Sequence, residues 1–257
     1  TASEIGGGFG GKTTVYLEPV AVVLSQKAGR PVKLIMDRGD VFRATGPAPG
    51  AETRVKLGAT KDGKLVAAEV DCLMDTGAYN GNPASIPVFM ATACYKLDNA
   101  RSSGRAVYTN RPKIHAYRAP SLPQATLAFE MVINELAAAL KFDPISFRLL
   151  NAAEEGDVNM MGGAYKAIGL RECLNAAKTH AHYQTAPKEN VGRGVAAGYW
   201  INAGMQSSAT LNVSTDGHVS VLTGSPDIGG SRASMGLMAS EVLGIPPDHV
   251  HPQVVAT

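Results

Sequence analysis

The stretch "EIGGGFGGKTTVYLEP", residues 4–19, sets five glycines around a single phenylalanine. Gly6 through Thr13 satisfies the phosphate-loop expression G-x-x-x-x-G-K-[ST], and Gly6, Gly8 and Gly11 satisfy G-x-G-x-x-G. A tight turn needs one or two glycines, and each extra one costs chain entropy on folding. A run of five is better explained by a bulky polar ligand that must come close to bare backbone. The N–H groups of such a loop, and of a helix N-terminus after it, donate to a ligand that is anionic or rich in oxygen.

The surroundings decide between ligands. Val15, Leu17, Val20, Val23 and Leu24 recur at near-helical spacing, which predicts a helix over Val15 to Ala28 with Pro19 near its start and Gly29 after its end. "PVKLIMD", residues 31–37, reads as a buried strand, and Asp37 at its end imitates the magnesium-binding aspartate of a nucleotidase. However, "TASEI" offers at most the end of a strand before the glycines, and the chain continues into hairpins rather than further βα units. A phosphate-loop nucleotidase therefore stands only as an alternative, and a lone G-x-G-x-x-G within a glycine run is weak evidence for a dinucleotide.

"ETRVKLGATKDGKLVAAEVDCLMDTGAY" alternates around Asp62-Gly63, and "SATLNVSTDGHVSVLTGSPDIGG" alternates around Asp216-Gly217. The return strands run into Asp75-x-Gly77 and Asp227-x-Gly229 respectively, so the two halves share a grammar. Between them, Ser121 and Pro123 open a helix over residues 124–140, with Leu127, Met131, Ile133 or Asn134, and Leu136 marking its apolar face. Asp143-Pro144 starts another through Leu150, Arg171 to His182 is a third, and Ser231 to Leu243 is a fourth ending at Gly244. Asp37, Arg38 and Asp40 read as bracing a loop. The fold class is α+β, with two related subdomains at residues 1–150 and 151–257.

With 257 residues, 45% hydrophobic and 18% charged, the chain can bury a real core. Its net charge of +2 comes without a basic stripe, which argues against nucleic acid. Cys72, Cys94 and Cys173 are odd in number and far apart, so they read as reduced core thiols. No apolar run approaches the roughly 20 residues of a membrane helix. His180-x-His182 and His249-x-His251 each lack a third ligand in sequence reach and read as surface histidines. Because the chain opens almost at once on its glycine loop and stops at "HPQVVAT", it reads as a piece of a longer polypeptide.

Four motifs in order, "GGGFGGK" (6–12), "GRPVKLIMDRGD" (29–40), "AYRAPSLPQATLAFEMVINELA" (116–137) and "PDIGGS" (226–231), resemble the molybdenum-binding large subunit of the xanthine dehydrogenase and aldehyde oxidase family. The resemblance covers essentially the whole chain. It implies a molybdenum hydroxylase, an oxidoreductase that oxidises an aldehyde or N-heterocycle with water-derived oxygen. The implied cofactor is molybdenum-molybdopterin, with the cytosine dinucleotide form left open, and 2Fe-2S and FAD groups on partner domains or subunits carry electron transfer. The implied location is cytoplasmic, with the periplasm left open. A non-catalytic scaffold or binding subunit of the same fold is the main alternative.

Carried over by position, the resemblance assigns cofactor contacts to Gly7, Gly8, Phe9, Gly10 and Gly11, to Arg118 in "YRAP", and to Gly229, Gly230 and Ser231. The Phe9 backbone and Arg118 would lie beside the metal. Tyr199 and Trp200 fall near a family position where an aromatic flanks substrate, and Pro120 stands at another substrate position. Purine-oxidising relatives carry a glutamate at Thr13, an arginine in the segment here reading "NPASIPVFMATACYK", and an aromatic at Pro120, so three departures argue against a purine oxidised like xanthine. Gly230 and Ser231 also depart from a common Gly-Gln-Gly. The family's catalytic glutamate sits in a Gly-x-Gly-Glu motif that no segment here matches, and Glu18, Glu130, Glu135 and Glu241 fall on helices as solvated or structural residues.

Overall fold

The computed structural model describes residues 5–80, 85–159, 162–201 and 206–255. It contains two compact units, one spanning Tyr16–Ile201 and a discontinuous one assembled from Thr1–Val15 and Asn202–Thr257. Ile5 pairs with Ile228, which places the start of the chain with the C-terminal segment in the smaller unit.

The larger unit runs α1 (Glu18–Ala28), α2 (Arg38–Ala44), β1 (Ala51–Ala59), β2 (Leu65–Gly77), α3 (Ser85–Met90), β3 (Asn99–Tyr108), α4 (Leu122–Ala139), α5 (Pro144–Asn151), α6 (Leu170–Thr179) and α7 (Ala181–Gln184). β1 and β2 form the expected antiparallel hairpin with Val55 opposite Val70, and β3 adds in parallel to β2. The strand pleat turns Ala68, Val70, Cys72 and Met74 to one face, where they are buried. Across them α4 lays Ala125, Phe129, Ile133 and Ala137, each 0% exposed and four residues apart, as a helical stripe must be.

That stripe corrects the expected apolar face, since Leu127 and Met131 are 65% and 54% exposed. Phe129 fills the space over the sheet while the alanines let the helix come close, so aromatic bulk and small size decide the face rather than aliphatic content. α1 begins at Glu18 instead of Val15, because Pro19 fits only a first helical turn, and it buries no residue. Residues 31–37 alternate between exposed and half-buried but pair with no strand among the described residues, and Ile35 is 74% exposed. An alternating apolar run fixes an extended backbone without specifying a neighbour.

Further differences are local. Asp37 and Asp40 form a reciprocal capping box that starts α2, with Asp40 N donating to Asp37 Oδ1 at 2.7 Å. The helix expected over 171–182 breaks at His180, whose extended backbone ends α6 while its Nδ1 accepts from His182 N at 3.1 Å to start α7. Cys72 and Cys94 are buried, whereas Cys173 is exposed because α6 buries only Leu174.

The smaller unit contains β4 (Ala209–Val213), β5 (Val219–Thr223), α8 (Ser231–Leu243), a 3-10 turn (Pro247–His249) and β6 (Val250–Val254). β4 and β5 are antiparallel, α8 crosses over, and β6 pairs in parallel with β5. Both sheets are thus a hairpin with a third strand parallel to the second, which extends the shared grammar to topology. Val219, Val221 and Val250 make the core under α8, and Gly236 allows the helix to seat on β6, since a Cβ there would lie 3.2 Å from Pro252 Cγ. Among the described residues no helix is long and apolar enough to cross a membrane. The fold class is α+β.

Asn151 ties α5 to the first hairpin. Its Oδ1 accepts from Leu65 N at 2.8 Å, and its Nδ2 donates to Gly63 O and Phe147 O at 3.0 and 2.9 Å, all buried. Asn151→Ala leaves a strand N–H and a turn carbonyl without partners, so it should lower stability by about 3 kcal/mol in urea unfolding. A loss under about 0.5 kcal/mol would show that the turn does not depend on this side chain.

Candidate functional site

In the smaller unit, Ile5 N donates to Asp227 O and Gly229 N donates to Ile5 O, both at 2.9 Å. This parallel bridge delivers the first glycine loop to the side of the second glycine turn. The loop then folds back on itself, with Gly11 N on Gly8 O at 2.8 Å. Phe9 (φ 53) and Gly10 (φ 92) are the central residues, both left-handed, as a type I′ turn requires. The Phe9 ring lies over Gly7, where a Cβ would stand 2.7 Å from a ring carbon. Thr13 closes the segment through its hydroxyl on Gly10 O at 2.7 Å. α1 does not start until Glu18, in the other unit, so the loop lacks the immediately following helix that a phosphate loop uses.

Asp227, 8% exposed, organises the second turn. Its Oδ1 accepts from Arg232 N at 3.1 Å and from the Ser231 hydroxyl at 3.4 Å, while Arg232 Nε lies 3.3 Å from Oδ2. Gly229 (φ 63) and Gly230 (φ 84) carry the chain into the N-terminus of α8. Among the described residues, no hydrogen bond takes the backbone N–H of Gly6, Gly7, Gly8, Gly230 or Ser231. A cavity of ≈ 630 Å³ opens here, lined by Ile5, Gly6, Asp227, Gly229, Gly230 and Arg232 among others. A Cβ added at Gly6, Gly229 or Gly230 would meet nothing within 4 Å, so protein packing does not require glycine there, although the left-handed backbone of Gly229 and Gly230 favours it. Free N–H donors and the positive end of α8 fit an anionic, oxygen-rich group, while the Arg232 guanidinium is paired with Asp227.

The other sequence-assigned residues belong to the larger unit. Arg118 is exposed, and among the described residues no hydrogen bond or ion pair holds its guanidinium. It precedes a turn closed by Leu122 N on Ala119 O at 3.0 Å, with Pro120 and Ser121 at the centre. Ser121 (φ 64) occupies the place where such a turn favours glycine, and Ala119 (φ 56) is left-handed as well. Two strained residues beside Arg118 mark a conformation that the surroundings impose. Asp75, at the end of β2, holds the start of this loop. It accepts from Gly77 N at 2.7 Å, the Thr109 hydroxyl at 2.6 Å and Arg111 Nη1 at 3.4 Å.

Tyr199 is half-buried and meets Tyr165 edge to face at 5.9 Å, while Trp200 is 46% exposed. Both line a cavity of ≈ 550 Å³ shared with Cys94, Leu170 and Val195. Burial pushes the Cys94 thiol and the Tyr165 hydroxyl each up to about 12, so neither is an acid–base group near neutrality. The segment before "CYK" that lacks a substrate arginine begins at residues 82–84, which lie outside the described residues. Glu130 is buried in an ion pair with Arg148, whereas Glu18, Glu135 and Glu241 are exposed. His249 and His251 both stack on His218, at 4.6 and 5.3 Å, and no metal-binding group occurs among the described residues. The roles of Ile5 and Asp75 had no sequence motif of their own; only the recurrence of Asp-x-Gly after each hairpin pointed to the second.

The two glycine turns lie around one cavity of the smaller unit. Residues 1–152 and 169–257 each match a molybdopterin cofactor-binding domain family. The chain belongs to the molybdopterin-binding family of the xanthine dehydrogenases and aldehyde oxidases. It is 33% identical to a putative xanthine dehydrogenase molybdenum-binding subunit of Escherichia coli, over 98% of this chain and 36% of that one. It is 34% identical to the nicotinate dehydrogenase large molybdopterin subunit of Eubacterium barkeri, over 68% of this chain and 42% of that one. The aldehyde oxidoreductase of Desulfovibrio gigas superposes with a TM-score of 0.76 at 27% identity, covering 97% of this chain and 29% of its own. The chain therefore spans about a third of the length of the relatives it matches.

Two predictions follow from the strained turns. Left-handed backbone disfavours Phe and is tolerated by Asn, so Phe9→Asn should raise stability by about 1 kcal/mol in chemical denaturation, and a fall would disprove stored strain at this turn. The Thr109 hydroxyl and then the Gly77 N–H hold the Asp75 carboxyl below the usual carboxylate range. A lowered folded-state pKa stabilises the protein above the unfolded value of about 3.9 and loses that contribution as the pH falls below it. Asp75→Asn should flatten the drop in urea midpoint between about pH 6 and about pH 3, and an unchanged slope would assign the acid sensitivity elsewhere.

Proposed function

We propose that this chain is the cofactor-holding part of a molybdenum hydroxylase that oxidises an aldehyde or an electron-poor N-heterocycle. The observation that carries the reading is the bridge from Ile5 to Asp227 and Gly229, which sets two glycine turns around one cavity, with the N–H groups of Gly6, Gly7, Gly8, Gly230 and Ser231 taken by no hydrogen bond among the described residues. The backbone of Gly6 to Gly11 and of Gly229 to Ser231 would hold the oxygen-rich part of a molybdenum–pterin group. The N-terminus of α8 would face its negative charge. Bound there, the group supplies the two-electron redox centre, while the protein supplies orientation and electrostatics. Arg118, in the larger unit and with no partner among the described residues, is a cation that the resemblance alone assigns to the cofactor.

Tyr199 and Trp200, which line one cavity of the larger unit, are assigned to substrate, and so is Pro120, in the turn beside Arg118. An aromatic-lined cavity suits a flat apolar substrate. Thr13 and Pro120 replace a carboxylate and an aromatic ring of purine oxidation, which favours an aldehyde or a simple heterocycle over xanthine. Relatives named as a molybdenum-binding subunit and a large molybdopterin subunit support partner subunits, to which we assign the iron–sulfur and flavin groups that carry electrons away.

The decisive experiment is metal and pterin analysis of the full-length gene product made with its partner subunits. Gly6→Val points a side chain into open cavity, so it should retain folding stability within about 1 kcal/mol while losing most molybdenum and pterin. Stoichiometric molybdenum in the variant would place the cofactor elsewhere. No molybdenum in the parent would support the scaffold alternative, and a thermal shift with magnesium and ATP would revive the nucleotidase.

A further inference from the structure

Residues 193–200 run extended, with Arg193, Val195, Ala197 and Tyr199 half-buried and the residues between exposed, yet they pair with no strand among the described residues. Buried backbone groups still require partners. Here side chains supply them. Ala197 N donates to Glu130 Oε2 at 2.7 Å, and Val195 O accepts from Arg148 Nη2 at 2.9 Å and Asn134 Nδ2 at 3.2 Å. Glu130 and Arg148 are themselves joined, with Nε and Nη2 of Arg148 on Oε2 at 3.0 and 2.7 Å. Arg148 is 0% exposed and Glu130 3%.

The pair makes further hydrogen bonds as well. Arg148 Nη1 donates to Pro144 O at 3.0 Å, Nη2 also reaches Asn134 Oδ1 at 2.9 Å, and the Tyr95 hydroxyl donates to Glu130 Oε1. A buried ion pair is an expensive way to join two helices, and an apolar pair of similar volume would often do as well. What apolar residues cannot do is hold one N–H and one C=O of a passing chain. The pair therefore acts as a substitute strand edge. Two residues beyond the Ala197 bond the same half-buried face carries Tyr199, followed by Trp200, and these line the ≈ 550 Å³ cavity together with Val195 and Ala197.

We propose that Glu130 and Arg148 are positioning residues that fix the backbone from Val195 to Ala197 and thereby aim Tyr199 and Trp200 into the cavity. The part of this inference that concerns substrate rests on the assignment of that cavity to substrate above. Placement of the two aromatics does not, because it depends only on the hydrogen bonds.

The test uses the full-length chain with its partner subunits, labelled with 5-fluorotryptophan, the Trp200 line being assigned by its loss in Trp200→Phe. The double variant Glu130→Met with Arg148→Met removes both grips without leaving a buried charge. It should melt cooperatively, yet shift or broaden the Trp200 fluorine line by about twofold its width and raise KM for benzaldehyde about tenfold with kcat within about twofold. Tyr95→Phe removes a bond to the same carboxylate without touching the segment. It should lower the melting temperature and leave the line and KM in place, a pattern that a merely structural network would not give. An unchanged line in the cooperatively melting double variant overturns the proposal. Should the double variant not melt cooperatively, Asn134→Ala, which removes one donor to Val195, must move the line in the same direction, and an unmoved line overturns the proposal equally. Benzaldehyde added to the parent enzyme tests the other reading separately: a Trp200 line that ignores benzaldehyde while responding to the double variant removes substrate from this cavity and keeps the positioning role.

Discussion

The site depends on two hydrogen bonds made by one residue. Ile5 has no catalytic group and no motif, but its N–H and C=O clip the N-terminal glycine loop to the chain at Asp227 and Gly229. Without that clip the two glycine turns are separate stretches of flexible backbone. With it they become walls of one cavity, with N–H groups that no hydrogen bond takes among the described residues. Asp227 supports the arrangement twice, through its carbonyl to Ile5 and through its carboxylate to the first turn of α8. The Phe9 turn keeps the first wall compact by placing a bulky residue in left-handed backbone over the bare Gly7.

Much of this was legible in the sequence where the signal was local. Both hairpins were visible from alternation and an Asp-Gly turn. α5 was visible from its Asp-Pro start, and α8 occupies the residues expected, from its glycine entry to Gly244. What stayed hidden is non-local. β3, "NARSSGRAVY", is a largely exposed edge strand with little apolar pattern, and it exists because β2 offers an unpaired side. β6, "VHPQV", carries a proline and pairs as a strand with β5. Conversely, "PVKLIMD" has the local look of a strand and finds no partner among the described residues. Composition sets the backbone's preference, and pairing is decided by what else is nearby.

The buried polar groups escaped for a related reason. Glu130 and Arg148 lie on helices whose sequences give no hint that a charged side chain faces inward, and most charged helical residues are solvated. Their burial follows from Phe129 and Ile133 setting the stripe of α4, which carries Glu130 to its flank. Asn151 is similar: a small amide at a helix end that satisfies three backbone groups from different parts of the unit. The candidate site was found from its glycines because bare backbone is rare and costly, whereas the residues that hold the glycines in place carry no comparable mark.

The separation between Ile5 and Asp227 also has a consequence in time. A ribosome adding about 5–20 residues per second needs on the order of 10–40 s to travel from one to the other. Throughout that interval the first glycine turn exists without its opposite wall, and no anion can be gripped from both sides. Loading of any ligand that needs both turns is thereby postponed until the second hairpin and the start of α8 have been made. The discontinuous unit in effect builds a checkpoint into the order of synthesis, so that what enters the cavity meets a chain whose intervening residues have already had time to fold.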